Sequence, residues 1–173
     1  MEQAAKIEKM ISGELPDPPI ARLIGLRVTS LLPGESRVEL EAGPPHFNPM
    51  GTVHGGVLCD LADLAMGAAY ASTLASGETF TTLELKINFL RPVWKEKLLA
   101  VGKIVKQGRT IGMVECDITD TQGRLVAKST STCMTLQQEI KDANSWILAR
   151  IIGGGTRTDV IWVIIASSQD QCR

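Results

Sequence analysis

Asn48-Pro-Met-Gly-Thr-Val-His-Gly-Gly56 runs without a break into the small, apolar segment Val57 to Ala75, which carries Asp60 and Asp63. Paired glycines ahead of an alanine-rich run read as a turn that opens a helix. A helix start presents unpaired backbone N–H groups and the positive end of a dipole to whatever lies in front of it. Such donors are the equipment of an oxyanion hole, and the following carboxylate is a candidate general base or nucleophile. The spacing predicts a helix of about twenty residues that ends at the stop signal Ser76-Gly77.

Upstream, Ile7, Met10 and Ile11 sit at helical spacing within Ala4 to Ile11, and Pro16, Pro18 and Pro19 then break the chain before a short turn, Ile20 to Ile24. Two small helical pieces are expected there. Leu26 to Leu32 and Ser36 to Ala42 alternate apolar with polar residues around Pro33-Gly34, the pattern of an antiparallel hairpin that Gly43-Pro44-Pro45 ends. Downstream of the helix come four extended runs, Phe80 to Val93, Lys97 to Gln107, Thr110 to Asp120 and Leu125 to Leu136. Each alternates, as in Thr82-Leu-Glu-Leu-Lys-Ile-Asn-Phe-Leu, and so predicts one dry and one wet face. The expected class is α+β: one long central helix wrapped by a curved, mainly antiparallel sheet of about six strands.

Residues 1–138 form the expected domain, with the short N-terminal helices within 1–25. Residues 139–173 do not fit that core. They hold Trp146, Trp162, the flexible Gly153-Gly-Gly155 and the apolar run Val160 to Ala166. The readings are an extra helix and strand on the sheet, an arm reaching another subunit, or a poorly ordered tail; an ordered apolar run would have to be covered.

With 173 residues and a formal charge of -1, the chain has the length of one ordinary domain and no field that would draw it to nucleic acid or an anionic membrane. Cys59, Cys116, Cys133 and Cys172 show no CxxC spacing and read as reduced, structural thiols. Met1 to Gly13 is charged and lacks the apolar core of a secretory signal, so a cytoplasmic location is expected. No apolar run reaches the ~20 residues of a membrane span, and Asp60 and Asp63 would be costly in lipid. His46 and His54 lack a third convergent ligand, so no metal is expected, and no G-x-S-x-G elbow is present for serine catalysis.

Taken in order, the paired strands, the Asn48-x-x-Gly51-Thr-x-His-Gly-Gly56 turn, Leu61-Ala-Asp63, the strand Thr82 to Pro92 ending in Arg-Pro, and Gly108-Arg109 resemble a known family. This is the hotdog-fold acyl-CoA thioesterases, in the phenylacetate-degradation-type (PaaI-like) subgroup, and the resemblance covers roughly Ile20 to Gln137. It implies the hotdog fold and hydrolysis of a thioester between coenzyme A and a carboxylic acid. Coenzyme A would be part of the substrate, with no separate cofactor.

The residue types suit that chemistry. The Gly55 N–H at a helix start can stabilise the oxyanion, and glycine there lets substrate approach the backbone. Asn48 could orient the carbonyl or a water, and His54 could steady the loop or hydrogen-bond near the sulfur. Asp63 would be a general base on water or a nucleophile forming an anhydride, and both remain open. Asp60 reads as a solvated or paired structural charge. Thr82 matches a hydroxyl position of the resembled family and could hold the water. For the coenzyme A phosphates, Arg109 beside Gly108 comes first, then Arg91, with Lys103 and Lys106 also available.

Helical geometry adds a constraint. Gly55 and Asp63 on one helix stand roughly 12 Å apart along its axis, too far to meet one carbonyl. The site should therefore be shared, with Gly55, Asn48 and His54 of one chain facing Asp63 and Thr82 of another. That is the arrangement of the resembled family, which forms dimers paired into tetramers. The expected partners are an acyl-CoA substrate and further copies of this chain, neither nucleic acid nor membrane. A non-catalytic hotdog protein that binds acyl-CoA or an aromatic ligand is the alternative, and Asp63 separates the two, since pure binding does not need it. The acyl group, aliphatic or aromatic, stays open, with Met66, Tyr70 and Leu90 as residues that either line its pocket or pack the core.

Overall fold

Helix α3 (Gly55–Ala71) is the axis around which the chain is arranged. The structure is a computed structural model and describes residues 2–139, 147–150 and 163–165. Leu61, Ala62, Ala65, Met66, Ala69 and Tyr70 of α3 are all at most 1 % exposed, more than a single apolar stripe supplies, so the helix is enclosed. It stops short of the predicted Ser76-Gly77. The Ser72 hydroxyl donates to the Ala69 carbonyl at 2.6 Å and accepts the Gly34 N–H at 2.7 Å, while the Thr73 hydroxyl donates to the Tyr70 carbonyl at 2.9 Å. These side chains occupy the carbonyls of the last turn and end the helix. Gly77, at φ 78°, turns the chain into the next strand instead.

Two short helices, α1 (Glu2–Ser12) and α2 (Pro19–Ile24), precede the sheet as predicted. The sheet contains β1 (Leu26–Leu32), β2 (Glu35–Ala42), β3 (Glu78–Phe89), β4 (Glu96–Gln107), β5 (Ile111–Thr119) and β6 (Leu125–Glu139), in the spatial order 1-2-4-5-6-3. Every pair is antiparallel. Two further strands, β7 (Ile147–Arg150) and β8 (Val163–Ile165), continue from the end of β6. Trp146, Gly153 to Gly155, Trp162 and the remainder of the Val160 to Ala166 run lie outside the described residues, as does Cys172.

Strands β2 and β3 are joined through α3 yet stand far apart in the strand order, so the helix has to cross the face of the curved sheet. Close approach makes this possible. A Cβ at Gly102 of β4 would overlap the Ala65 carbonyl, and one at Gly112 of β5 would overlap the Tyr70 ring. Ser36 of β2 donates its hydroxyl to the same Ala65 carbonyl at 2.6 Å, satisfying a buried group. Val38, Leu40, Leu98, Ala100, Val114 and Ile118 close the core around the helix.

His46 is a structural tie. It ends a 3-10 turn (Pro44–His46), its Nδ1 accepts the Gly43 N–H at 3.1 Å, and its Nε2 donates to the Ile24 carbonyl at 2.8 Å. Cys59, Cys116 and Cys133 are free thiols, and burial pushes the Cys116 thiol up to about 12. Among the described residues no helix is long and apolar enough to cross a membrane.

Candidate active site

The turn ahead of α3 is built by its own side chains. Gly51, at φ 79°, reverses the chain, and the Asn48 Oδ1 accepts the N–H groups of Met50 at 2.9 Å and Thr52 at 3.3 Å. The Asn48 Nδ2 donates to the Thr52 hydroxyl at 2.9 Å, leaving its second N–H as the group's remaining donor. Val53 then pairs with Val93, its N–H meeting that carbonyl at 2.8 Å, which fixes the turn against the segment following β3.

His54 is the N-cap of α3. Its Nδ1 accepts the Gly56 N–H at 2.9 Å, so the neutral ring carries its proton on Nε2, and its own N–H donates to the His46 carbonyl at 2.8 Å. The Val57 N–H goes to the His54 carbonyl at 3.0 Å. Of the first three helical N–H groups, only that of Gly55 has no acceptor among the described residues. The helix dipole adds to its positive potential. The Phe89 ring lies over Gly55, where an added Cβ would come within 2.9 Å of it.

Two turns along, Asp63 receives the Thr82 hydroxyl at 3.3 Å on its Oδ1. Asp63 is exposed in the single chain, and its partial burial against the neighbouring protein still holds its pKa above the ordinary carboxylate value. The Thr82 hydrogen bond pulls the other way, and the Asp60 charge adds a further upward push.

Thr82 reaches Asp63 because β3 changes face. Simple alternation puts Leu83, Leu85 and Ile87 on the dry side and Thr82 on the wet side. In the structure the β3–β6 register slips between Thr82 and Glu84, leaving Leu83 as the extra residue of a bulge, 49 % exposed. Phe80 and Thr82 therefore face α3 before the bulge, and Leu85 and Ile87 after it. The expected single dry face of β3 is corrected accordingly.

An apolar cavity of about 300 Å³ opens beside the Asp63–Thr82 pair, bounded by α1, α3, β1 and β3. Met66 and Tyr70 do not line it: both are core, with the Tyr70 hydroxyl bonded to that of Thr135 at 2.8 Å, while Leu90 is exposed. Arg91 borders a separate cavity of about 340 Å³ with Trp94, Lys95 and Arg124. Gly108 and Arg109 form the tip between β4 and β5, the Gly108 N–H donating to the Ile111 carbonyl at 2.8 Å. Arg91 and Arg109 are exposed and make no ion pair among the described residues, whereas Lys103 is paired with Glu35 at 3.3 Å. The structure thus joins Asp63 to Thr82 and Gly55 to His54, and keeps the two pairs apart on one helix. Phe89 and the α1 wall escaped the sequence reading, since only tertiary packing brings them to these positions.

The fold agrees with that of known proteins. Residues 50–127 match the thioesterase superfamily. A Saccharolobus solfataricus protein bearing an esterase name is 30 % identical over 122 residues, 70 % of this chain and 86 % of that one. Human acyl-coenzyme A thioesterase 13 is 27 % identical, over 64 % of this chain and 81 % of its own. Among solved structures, a variant of the phenylacetic acid degradation protein PaaI from Thermus thermophilus superposes with a TM-score of 0.64 at 29 % identity, covering 68 % of this chain and 98 % of that one. The match over residues 50–127, the 30 % identical relative aligned over 86 % of its own length, and the 1-2-4-5-6-3 sheet around α3 place this chain in the thioesterase superfamily, among its hotdog-fold, PaaI-type hydrolases.

Proposed function

We propose that the chain hydrolyses acyl-CoA thioesters at sites shared by two copies. Gly55, Asn48 and His54 come from one copy, Asp63 and Thr82 from the other. The observation that carries this reading is the placement of the one N–H of the α3 start that has no acceptor among the described residues and of the Asp63 carboxylate roughly 12 Å apart on one helix, so that each lacks its complement within the chain. The Gly55 N–H takes the charge that develops on the carbonyl oxygen. Asp63 either removes the proton of the attacking water, held by Thr82, or attacks the carbonyl itself to give an anhydride that water then opens. In both routes the C–S bond breaks and the coenzyme A sulfur leaves as thiolate. His54, with Nδ1 occupied by the Gly56 N–H and Nε2 left as a donor, is the proposed hydrogen-bond partner of that sulfur.

The outer edge of β3, with Leu83, Phe89 and Leu90 exposed, supports pairing of copies into a dimer or a tetramer. Arg91, Arg109 and the Gly108 backbone are the proposed holders of the coenzyme A phosphates. No cofactor other than this substrate moiety enters the reaction, and the proposed location is the cytoplasm. The test is release of free thiol from a panel of acyl-CoAs by wild type and Asp63→Asn. Equal rates for the two proteins would leave a binding protein in place of the enzyme.

A further inference from the structure

Resting on the proposed hydrolase, a further reading concerns the cavity beside Asp63. We infer that it is the acyl pocket, that it takes an unbranched tail of about eight to ten carbons, and that Ile7 and Met10 of α1 close its far side.

Three observations lead there. First, Asp63 and Thr82 are themselves part of the cavity wall, so a carbonyl held at Asp63 has its tail directed into this space or out to solvent. Second, the wall is dominated by apolar and small groups. Leu64, Gly67, Ala68 and Ala71 line it from α3 and Phe80 from β3. Gly67 sits inside a helix, where glycine is costly relative to alanine, and a Cβ there would press to 3.3 Å on the Phe80 ring that borders the space. Third, α1 turns one face to the cavity: Gln3, Lys6, Ile7 and Met10 follow the spacing of adjacent helical turns.

The dimensions select the occupant. From Asp63 to Ala71 the cavity follows α3 for eight residues, about 12 Å at the helical rise. An extended alkyl chain of ~1.5 Å bonds advances about 1.3 Å per carbon, so this length holds about nine carbons. The volume of about 300 Å³ gives a similar count, roughly ten groups the size of a water molecule. Length and volume agree on a medium, linear tail, whereas a phenyl ring is shorter than the distance from Asp63 to Ala71 and would leave the end beside Ala71 empty.

Binding of S-decyl-CoA and S-butyl-CoA, thioethers that cannot be hydrolysed, reads the pocket by calorimetry without turnover. Each buried methylene is worth about three- to fourfold in affinity, so the six extra methylenes should tighten wild-type binding by a factor of about a hundred or more. Met10→Trp and Ile7→Trp should each reduce that ratio to below about tenfold, and Glu8→Trp, on the exposed face of α1, should leave it as in wild type. Taking the ratio within one protein sample cancels any misfolded fraction. A wild-type ratio under tenfold, an unchanged ratio in both pocket variants, or a tenfold preference for S-phenethyl-CoA over S-decyl-CoA overturns the inference. Absence of thiol release from decanoyl-CoA alongside the expected ratios would overturn the hydrolase reading and leave the pocket standing.

Discussion

A shared site can be tested by breaking its halves in different chains. Gly55→Pro deletes the N–H at the first helical position, a place where proline is well accommodated. His54, at φ -65° and ψ 136°, already has the extended conformation required before proline. The new residue would meet the Phe89 ring, and Phe89 is 53 % exposed in the single chain. Loss of one oxyanion donor lowers kcat by about 10²–10³-fold, and Asp63→Asn, which removes the proposed base or nucleophile, by at least about 10²–10⁴-fold. Each variant alone should therefore be nearly inactive. If each site takes Gly55 from one copy and Asp63 from the other, a hybrid dimer contains one intact site and one doubly damaged site. Equal amounts of the two chains, unfolded and refolded together, give hybrids as half of all dimers, so the mixture should recover about a quarter of the wild-type rate in a two-fold assembly. Thiol release measures the rate, and native mass spectrometry measures the hybrid fraction. A hybrid fraction near one half with a rate no higher than the mean of the parents would refute the shared site.

The remaining predictions concern protonation and packing. Because burial raises the Asp63 pKa and the proposed reaction needs the carboxylate, kcat/KM should fall with decreasing pH through a midpoint above the ordinary aspartate value. Thr82→Val removes a hydrogen bond that favours the carboxylate, so this midpoint should move to higher pH, and a move to lower pH would contradict the assignment. Gly102→Ala drives a methyl group into the Ala65 carbonyl and displaces the Ser36 hydrogen bond. Overpacking plus a stranded buried acceptor should cost about 3 kcal/mol or more, which lowers Tm by roughly 6–12 °C in a melt at fixed protein concentration. A shift below 2 °C would mean that α3 does not rest on β4 at this point. His54→Ala removes the α3 cap and should lower stability by about 1 kcal/mol, read in the same melt. Unchanged Tm would show that the Gly56 N–H finds another acceptor.

Much of the site is local and was legible for that reason. The glycines at 55 and 56, the histidine before them and Asp63 eight residues on lie in one continuous segment, and the helical rise alone separates the donor from the carboxylate. Alternation placed the strands to within a few residues, because one face of each packs on the helix. It failed at Leu83. A bulge is set by the register with β6, a partner some fifty residues away, and no pattern inside β3 announces it. The helix end failed likewise: Ser72 stops α3 partly by accepting the Gly34 N–H from the distant β1–β2 turn.

By itself, then, the sequence determined the order of elements, the antiparallel character of the sheet, the glycine turn that opens α3 and the separation of the Gly55 N–H from Asp63, all consequences of short-range geometry along one chain. Only the tertiary structure decided that Thr82 faces Asp63, that Phe89 covers Gly55, that Asn48 spends most of its hydrogen bonds within its own turn, and that α1 walls a cavity beside the carboxylate. Those contacts depend on registers and close approaches between segments far apart in sequence, where a one-residue slip moves a side chain to the opposite face.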